Sequence, residues 1–218
     1  NVFFTIGFLA NSEYATADDA VRCGFKALSN GADAVYAGVS LKSVEAMANE
    51  AIPVVGHVGF IPYKSSWFGG FKAVGKTAEV ALKLYKRTLA YQEAGAIGVE
   101  MEIVPYQIAS EISKRVKIMV LSMGSGTGCD GQYLFATDIL GTNTGHVPRH
   151  AKMYRNLKAE YERLQKETIA AFTEFKADVD SGGYPQVNHV VEAKDDEYKK
   201  FMEMMEGVSS PPEIKEFL

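Results

Sequence analysis

Cysteine is scarce: the 218 residues contain two, Cys23 and Cys129, far apart and without metal-ligand spacing. That excludes a disulfide scaffold and predicts a reducing compartment. Positive charge is not in excess either. Lys and Arg number 23 against 27 Asp and Glu, a net charge of −4, so no global positive field draws the chain to nucleic acid. Long apolar runs are missing, and none approaches the roughly 18 residues of a membrane span. The first residues show no basic segment leading to an apolar stretch and a small-residue cleavage site. A soluble cytoplasmic protein is expected, with neither nucleic acid nor membrane as partner.

What is present is apolar material, 47% of the residues, enough for one sizeable core. Short apolar runs alternate with longer segments of helical period, the pattern of βα units around a parallel sheet. Six strands are predicted: Val2 to Phe8, Ala32 to Ala37, Pro53 to Phe60, Ile97 to Val104, Lys117 to Met123 and Gln132 to Phe135. Thr16, followed by Asp18 and Asp19, predicts a capped helix that ends at Asn30-Gly31. Further helices are expected from about Val44 to Asn49, Ala78 to Glu93 and Tyr106 to Val116. A long charged helix, Met153 to Val179, is predicted with a break near Thr168. One α/β domain over residues 1–189 is expected, helical from about 151, and residues 190–218 read as a loose charged tail. A closed barrel needs eight strands. Because the chain opens on Asn1 inside a strand-like run without an initiator Met, two further βα units are expected upstream.

In α/β sheets and barrels, ligands bind at the carboxyl ends of the strands. His57 lies in such a strand between Gly56 and Gly59, where glycines let a ligand approach the backbone. A core histidine bonded to a carbonyl is the bland alternative. Glu100 and Glu102 are spaced by two, so both point to one face. A structural ion pair accounts for one of them; two buried carboxylates on one face suggest a site. A partly desolvated carboxylate at a strand end has a raised pKa, which suits it to take a proton from carbon beside a carbonyl. Ser122 opens a glycine-rich stretch, Gly124 to Gly131, able to bind an anion through backbone N–H groups. Gly69, Gly70 and Lys72 form either a surface loop or a lid.

Several ordered segments together resemble the ketopantoate hydroxymethyltransferase family. They are Ile52-Pro53-Val54-Val55-Gly56-His57-Val58-Gly59, Gly69-Gly70-Phe71-Lys72 through Thr77, Glu93-Ala94-Gly95-Ala96, Glu102-Ile103-Val104-Pro105, Cys129-Asp130-Gly131-Gln132, and Ser181-Gly182-Gly183-Tyr184-Pro185 with His189. The resemblance implies a (βα)8 TIM-type barrel and homo-oligomers. It also implies Mg²⁺, a branched 2-oxo acid substrate and 5,10-methylenetetrahydrofolate as one-carbon donor, in pantothenate biosynthesis. Glu102 matches the family's general base, and His57 a substrate-contacting histidine. Tyr36 stands where the family has a substrate-binding lysine, and Gly38 where it has a metal-binding glutamate. Thr5 to Phe8 also lacks the expected metal-binding aspartate, so no metal ligands are found. Tyr36, His57 and Ser122 are the substrate-binding candidates and Glu102 the catalytic one. A lyase or aldolase of the same superfamily, or a non-catalytic barrel serving as a binding or assembly subunit, remain alternatives.

Overall fold

The computed structural model describes residues 2–8 and 14–208. Six strands form one sheet: β1 (Thr5–Phe8), β2 (Ala34–Ala37), β3 (Val54–Gly59), β4 (Gly98–Glu102), β5 (Met119–Met123) and β6 (Gly131–Gln132). They pair in sequence order and every pairing is parallel. Helices α1 (Ala17–Ser29), α2 (Leu41–Asn49), α3 (Ala78–Glu93) and α4 (Tyr106–Ser113) fill the connections, followed by short α5 (Ala136–Leu140). This is the succession of strands in a singly wound α/β barrel. Among the described residues the sheet is open between β1 and β6, with six of the eight strands that closure needs.

Local chemistry sets the helix starts. Thr16 and Asp19 form a reciprocal capping box at α1, as their spacing predicts. α2 begins three residues earlier than expected, because Ser40 caps it by accepting the Ser43 N–H (3.1 Å). The end strands are shorter than expected. β1 starts at Thr5 rather than Val2, and β6 is only two residues long, paired with Leu121 and Ser122.

The sheet's two faces divide by alternation. Val35, Val54, Val58, Val99, Met101 and Val120 are fully buried in the core with Met47, Leu84 and Tyr91 of the helices. Tyr36, His57, Glu100 and Glu102 alternate with them and occupy the other face.

The chain forms two compact units, residues 1–158 and 159–218, with the division in the first turn of α6. α6 (Leu157–Ser181) is continuous. Thr168, where a break was expected, donates its hydroxyl to the Leu164 carbonyl one turn back (2.8 Å), which the helix accommodates. Beyond α6, Tyr184 packs edge-on against Phe175 and stacks on His189, with ring centroids 5.4 and 5.2 Å apart. The expected loose tail contains instead a helix, α7 (Asp195–Glu206). Asp195, Asp196 and Glu197 in its first turn complement the helix dipole. The last ten residues of the expected tail, 209–218, lie outside the described residues. No helix among the described residues is long and apolar enough to cross a membrane.

Candidate active site

Glu102 closes β4 and Gly59 closes β3, and the two residues are register partners. The strand ends meet closely here. A Cβ on Gly59 would lie 2.3 Å from the Glu102 carbonyl oxygen, and Gly59 has φ +87°, so only glycine fits. Phe60 then turns across the end of β4, its N–H donating to that same carbonyl (2.8 Å). Ile103, just after Glu102, adopts φ +47°, a strained choice for a β-branched residue. It is clamped from both sides. Its N–H donates to Met123 O (2.8 Å), and its carbonyl accepts the Val74 N–H (3.0 Å).

Around Glu102 the buried polar groups form one chain. His57 Nε2 lies 2.8 Å from the Phe60 carbonyl and 3.1 Å from Glu102 Oε2. A carbonyl only accepts, so Nε2 carries the hydrogen, and it is shared with the carboxylate. The other ring nitrogen, Nδ1, is 2.7 Å from the Tyr36 hydroxyl. Tyr36 in turn hydrogen-bonds Glu100. Burial pushes the Glu100 carboxyl up, with His57 and Tyr36 opposing the shift and Glu102 adding to it. Burial also raises the Tyr36 phenol far above its ordinary range, helped by the Glu100 charge. Glu100, Tyr36, His57 and Glu102 are thus linked in series by side-chain hydrogen bonds across β2, β3 and β4.

Glu102 also lines a cleft of about 770 Å³. Lys72 and Lys76 reach it from the loop that Val74 ties to Ile103. Phe71 of that loop lies against Phe60, with ring centroids 5.1 Å apart. Gly69 and Gly70, at φ +69° and +102°, provide the sharp turn after the 3₁₀ segment Pro62–Phe68. The loop thus forms a wall of the cleft.

Sequence-predicted residues Tyr36, His57 and Glu102 come together, and Lys72 borders the cleft. Ser122 does not join them. It pairs with Met101 in the sheet, which puts it on the face opposite Glu102. It is fully buried there, and its hydroxyl accepts the Ser125 N–H (3.1 Å). Ser125 has a structural part as well, donating to Met101 O (2.8 Å) and accepting from Val104 N (2.9 Å). Glu100, expected on the same face as Glu102, is there; residues missed from sequence are Tyr133, and Asp138 with His150 in the cleft wall. Tyr133 reveals its proximity to the carboxylates through a raised phenol, caused by burial first and then by Glu100 and Glu102.

His57, Glu100 and Glu102 present ligand atoms within 4.8 Å of one another. They do not fit a resident Mg²⁺, which takes oxygen ligands in near-octahedral geometry. The Nε2 hydrogen is committed to Phe60 and Glu102, and Nδ1 to Tyr36. At Gly38, the position matched to the family's metal-binding glutamate, the Tyr63 hydroxyl crowds any side chain. A Cβ there would sit 3.0 Å from the Tyr63 hydroxyl, which donates to the Gly38 carbonyl (2.5 Å).

A parallel sheet in barrel order, with a buried His–carboxylate pair at its carboxyl ends, defines an α/β-barrel enzyme. The sequence profile of ketopantoate hydroxymethyltransferase matches residues 3–187, and the chain belongs to that family. The 3-methyl-2-oxobutanoate hydroxymethyltransferase 1 of Methylibium petroleiphilum is 34% identical over 93% of this chain and 68% of its own length. The corresponding enzyme of Enterococcus faecalis is 37% identical over 72% of this chain. This chain spans 54% of that relative and 52% of the one from Nitratidesulfovibrio vulgaris, about half the length of these proteins. Among solved structures, a putative phosphonomutase from Burkholderia cenocepacia J2315 is similar over 78% of this chain and 68% of its own. Its identity is 15% and the TM-score is 0.44.

Proposed function

We propose that the protein transfers a one-carbon unit from 5,10-methylenetetrahydrofolate to a branched 2-oxo acid, through an enolate formed at its Glu102. The observation that carries this reading is the buried Glu102 carboxylate, 3.1 Å from His57 Nε2 and open to the cleft. The carboxylate takes the C3 proton of the 2-oxo acid, and the C–H electron pair becomes the enolate. The enolate carbon then bonds to the folate methylene as the first of its two C–N bonds breaks. Water oxygen replaces the second nitrogen, so that the methylene becomes CH2OH. Tetrahydrofolate leaves with both nitrogens protonated, one proton coming from the substrate and one from water. The proton that Glu102 takes goes on to the departing folate nitrogen, so that Glu102 is a base again for the next cycle, and His57 holds the carboxylate in place throughout (3.1 Å). Tyr36, in the place of the family's lysine, holds the His57 ring from behind through Nδ1 (2.7 Å). Mg²⁺ would supply charge stabilisation to the enolate, but the carboxylate ligands that the resemblance implies are absent from Thr5 to Phe8 and from Gly38.

The test is exchange of the C3 proton of 3-methyl-2-oxobutanoate with deuterated solvent, followed by NMR. Exchange above the buffer rate is expected without any folate; its absence over a range of 2-oxo acids would remove the reading.

The small number of cysteines and their wide separation in sequence support placing the protein in the reducing cytoplasm. We also propose a homo-oligomer. Tyr161, Leu164, Ile169 and Phe172 of α6 are all more than half exposed, apolar surface of the kind that seeks cover. Sedimentation at micromolar concentration should show a species larger than 23.8 kDa; a monomer would overturn the assembly.

A further inference from the structure

The sheet face that carries Glu102 holds a second carboxylate for which the proposed reaction has no use. Glu100 is 2% exposed, and a charge so far from water persists only beside a compensating partner. A lysine or arginine ordinarily supplies one. Among the described residues none forms an ion pair with Glu100. The ionisable groups that face it are Tyr36 on β2, His57 on β3, Glu102 on β4 and Tyr133 after β6. Of these, His57 alone can be a cation, and it is the register partner of Glu100.

A count of hydrogens shows how the two are joined. The Phe60 carbonyl, 2.8 Å from His57 Nε2, accepts the hydrogen of that nitrogen. Nδ1 lies 2.7 Å from the Tyr36 hydroxyl, which also bonds Glu100. The phenol stays un-ionised, because burial and then the Glu100 charge raise it far above its ordinary range. It therefore has one hydrogen for two neighbours. When that hydrogen goes to the Glu100 carboxylate, Tyr36 can only accept from the ring, and Nδ1 must carry a hydrogen of its own. When it goes to Nδ1 instead, that nitrogen is bare. Burial pushes the Glu100 carboxyl up, but His57 and Tyr36 both act to keep it ionised, as the first arrangement requires.

We propose that Glu100 is a positioning residue for Glu102: by taking the Tyr36 hydrogen it keeps a hydrogen on His57 Nδ1, and the ring meets Glu102 as a cation. The role rests on the reading of Glu102 as the base, and Glu100 acts on it through Tyr36 and His57. An imidazolium 3.1 Å from Glu102 Oε2 holds the carboxylate more firmly than a neutral ring would, since hydrogen bonds between charged groups are about twice as strong as neutral ones. The carboxylate that takes the C3 proton is thereby fixed from three strands at once.

The test is nitrogen NMR, at neutral pH, of the full chain labelled at histidine, with His57→Asn identifying the His57 ring. Both ring nitrogens should carry hydrogen in the wild type. In Glu100→Gln the side-chain amide can donate to the Tyr36 oxygen, so the phenol hydrogen turns to Nδ1, which should become bare. C3 exchange of 3-methyl-2-oxobutanoate should then fall by about ten- to a hundredfold, the worth of one charge-assisted hydrogen bond, while binding of that acid holds. Tyr36→Phe should cost as much, and the double variant no more than either alone, because both changes cut one link. A bare Nδ1 in the wild type, a ring in Glu100→Gln that keeps both hydrogens, or losses that add in the double variant would each overturn the role. If Glu100→Gln does not fold, the wild-type spectrum and Tyr36→Phe decide, since that variant should also lose the Nδ1 hydrogen; a ring that keeps it there overturns the role. A wild type that does not exchange, while its Nδ1 hydrogen depends on Glu100, would sink the reading of Glu102 and uphold the control of His57 by Glu100.

Discussion

Glu102→Gln should slow C3 proton exchange of the 2-oxo acid by about 10²–10⁴-fold, the usual cost of losing a general base. Gln has the same length and offers His57 Nε2–H an amide oxygen in place of Oε2, so the local packing survives. What it cannot do is take a proton. Binding of the 2-oxo acid, read by calorimetry, should therefore change little, and the thermal midpoint should stay near that of the wild type. The split between lost exchange and retained binding is the signature of a base. Exchange that persists in Glu102→Gln would eliminate Glu102 and point to Glu100, the other buried carboxylate in the chain.

Gly59→Ala should be the most damaging small substitution near the site. With φ +87°, a Cβ meets the left-handed penalty of about 1–2 kcal/mol. The new methyl would also lie 2.3 Å from Glu102 O and 2.9 Å from Val104 Cγ2, in the register of β4. Backbone cannot swing aside as a flexible side chain can. A loss of about 2–4 kcal/mol is expected, within the range of strain at special backbone positions. At about 2–4 °C per kcal/mol for a chain of this size, the midpoint falls by about 5–15 °C in a calorimetric scan. Because the collision is with the residue that holds the base, exchange should fall in the protein that remains folded. A wild-type midpoint would show that β3 and β4 separate more easily than their register implies.

The fold was legible where one chemical rule acted over a short stretch. Thr16 with Asp19 announced α1, and the nearly all-apolar run around Val54 to Val58 announced a buried strand. Glu102 and His57 were legible because period-two alternation puts both carboxylates of β4 on one face and glycines mark β3. The same alternation explains the failure at Ser122. A single-residue step reverses the face, and register with Met101 is a property of two strands, not of one segment. Glu100 was visible as a carboxylate, but its link to Tyr36 depends on strands β2 and β4 meeting across β3. Asp138 gave no signal, since an aspartate early in a helix ordinarily complements the dipole. Its burial arises only when residues 142–150 fold nearby.

Phe60 has a consequence for how the site withstands thermal breathing of the sheet. Its carbonyl accepts from His57 and its N–H holds the Glu102 backbone, both at 2.8 Å. Imidazole and carboxylate are thus referenced to one peptide-bonded residue rather than to two strands that slide independently. When β3 and β4 fluctuate, acid and base are carried together and their separation is conserved. The tolerance for proton transfer is set by the geometry of a single amino acid, whereas the width of the cleft is free to vary with the loop that Val74 ties down.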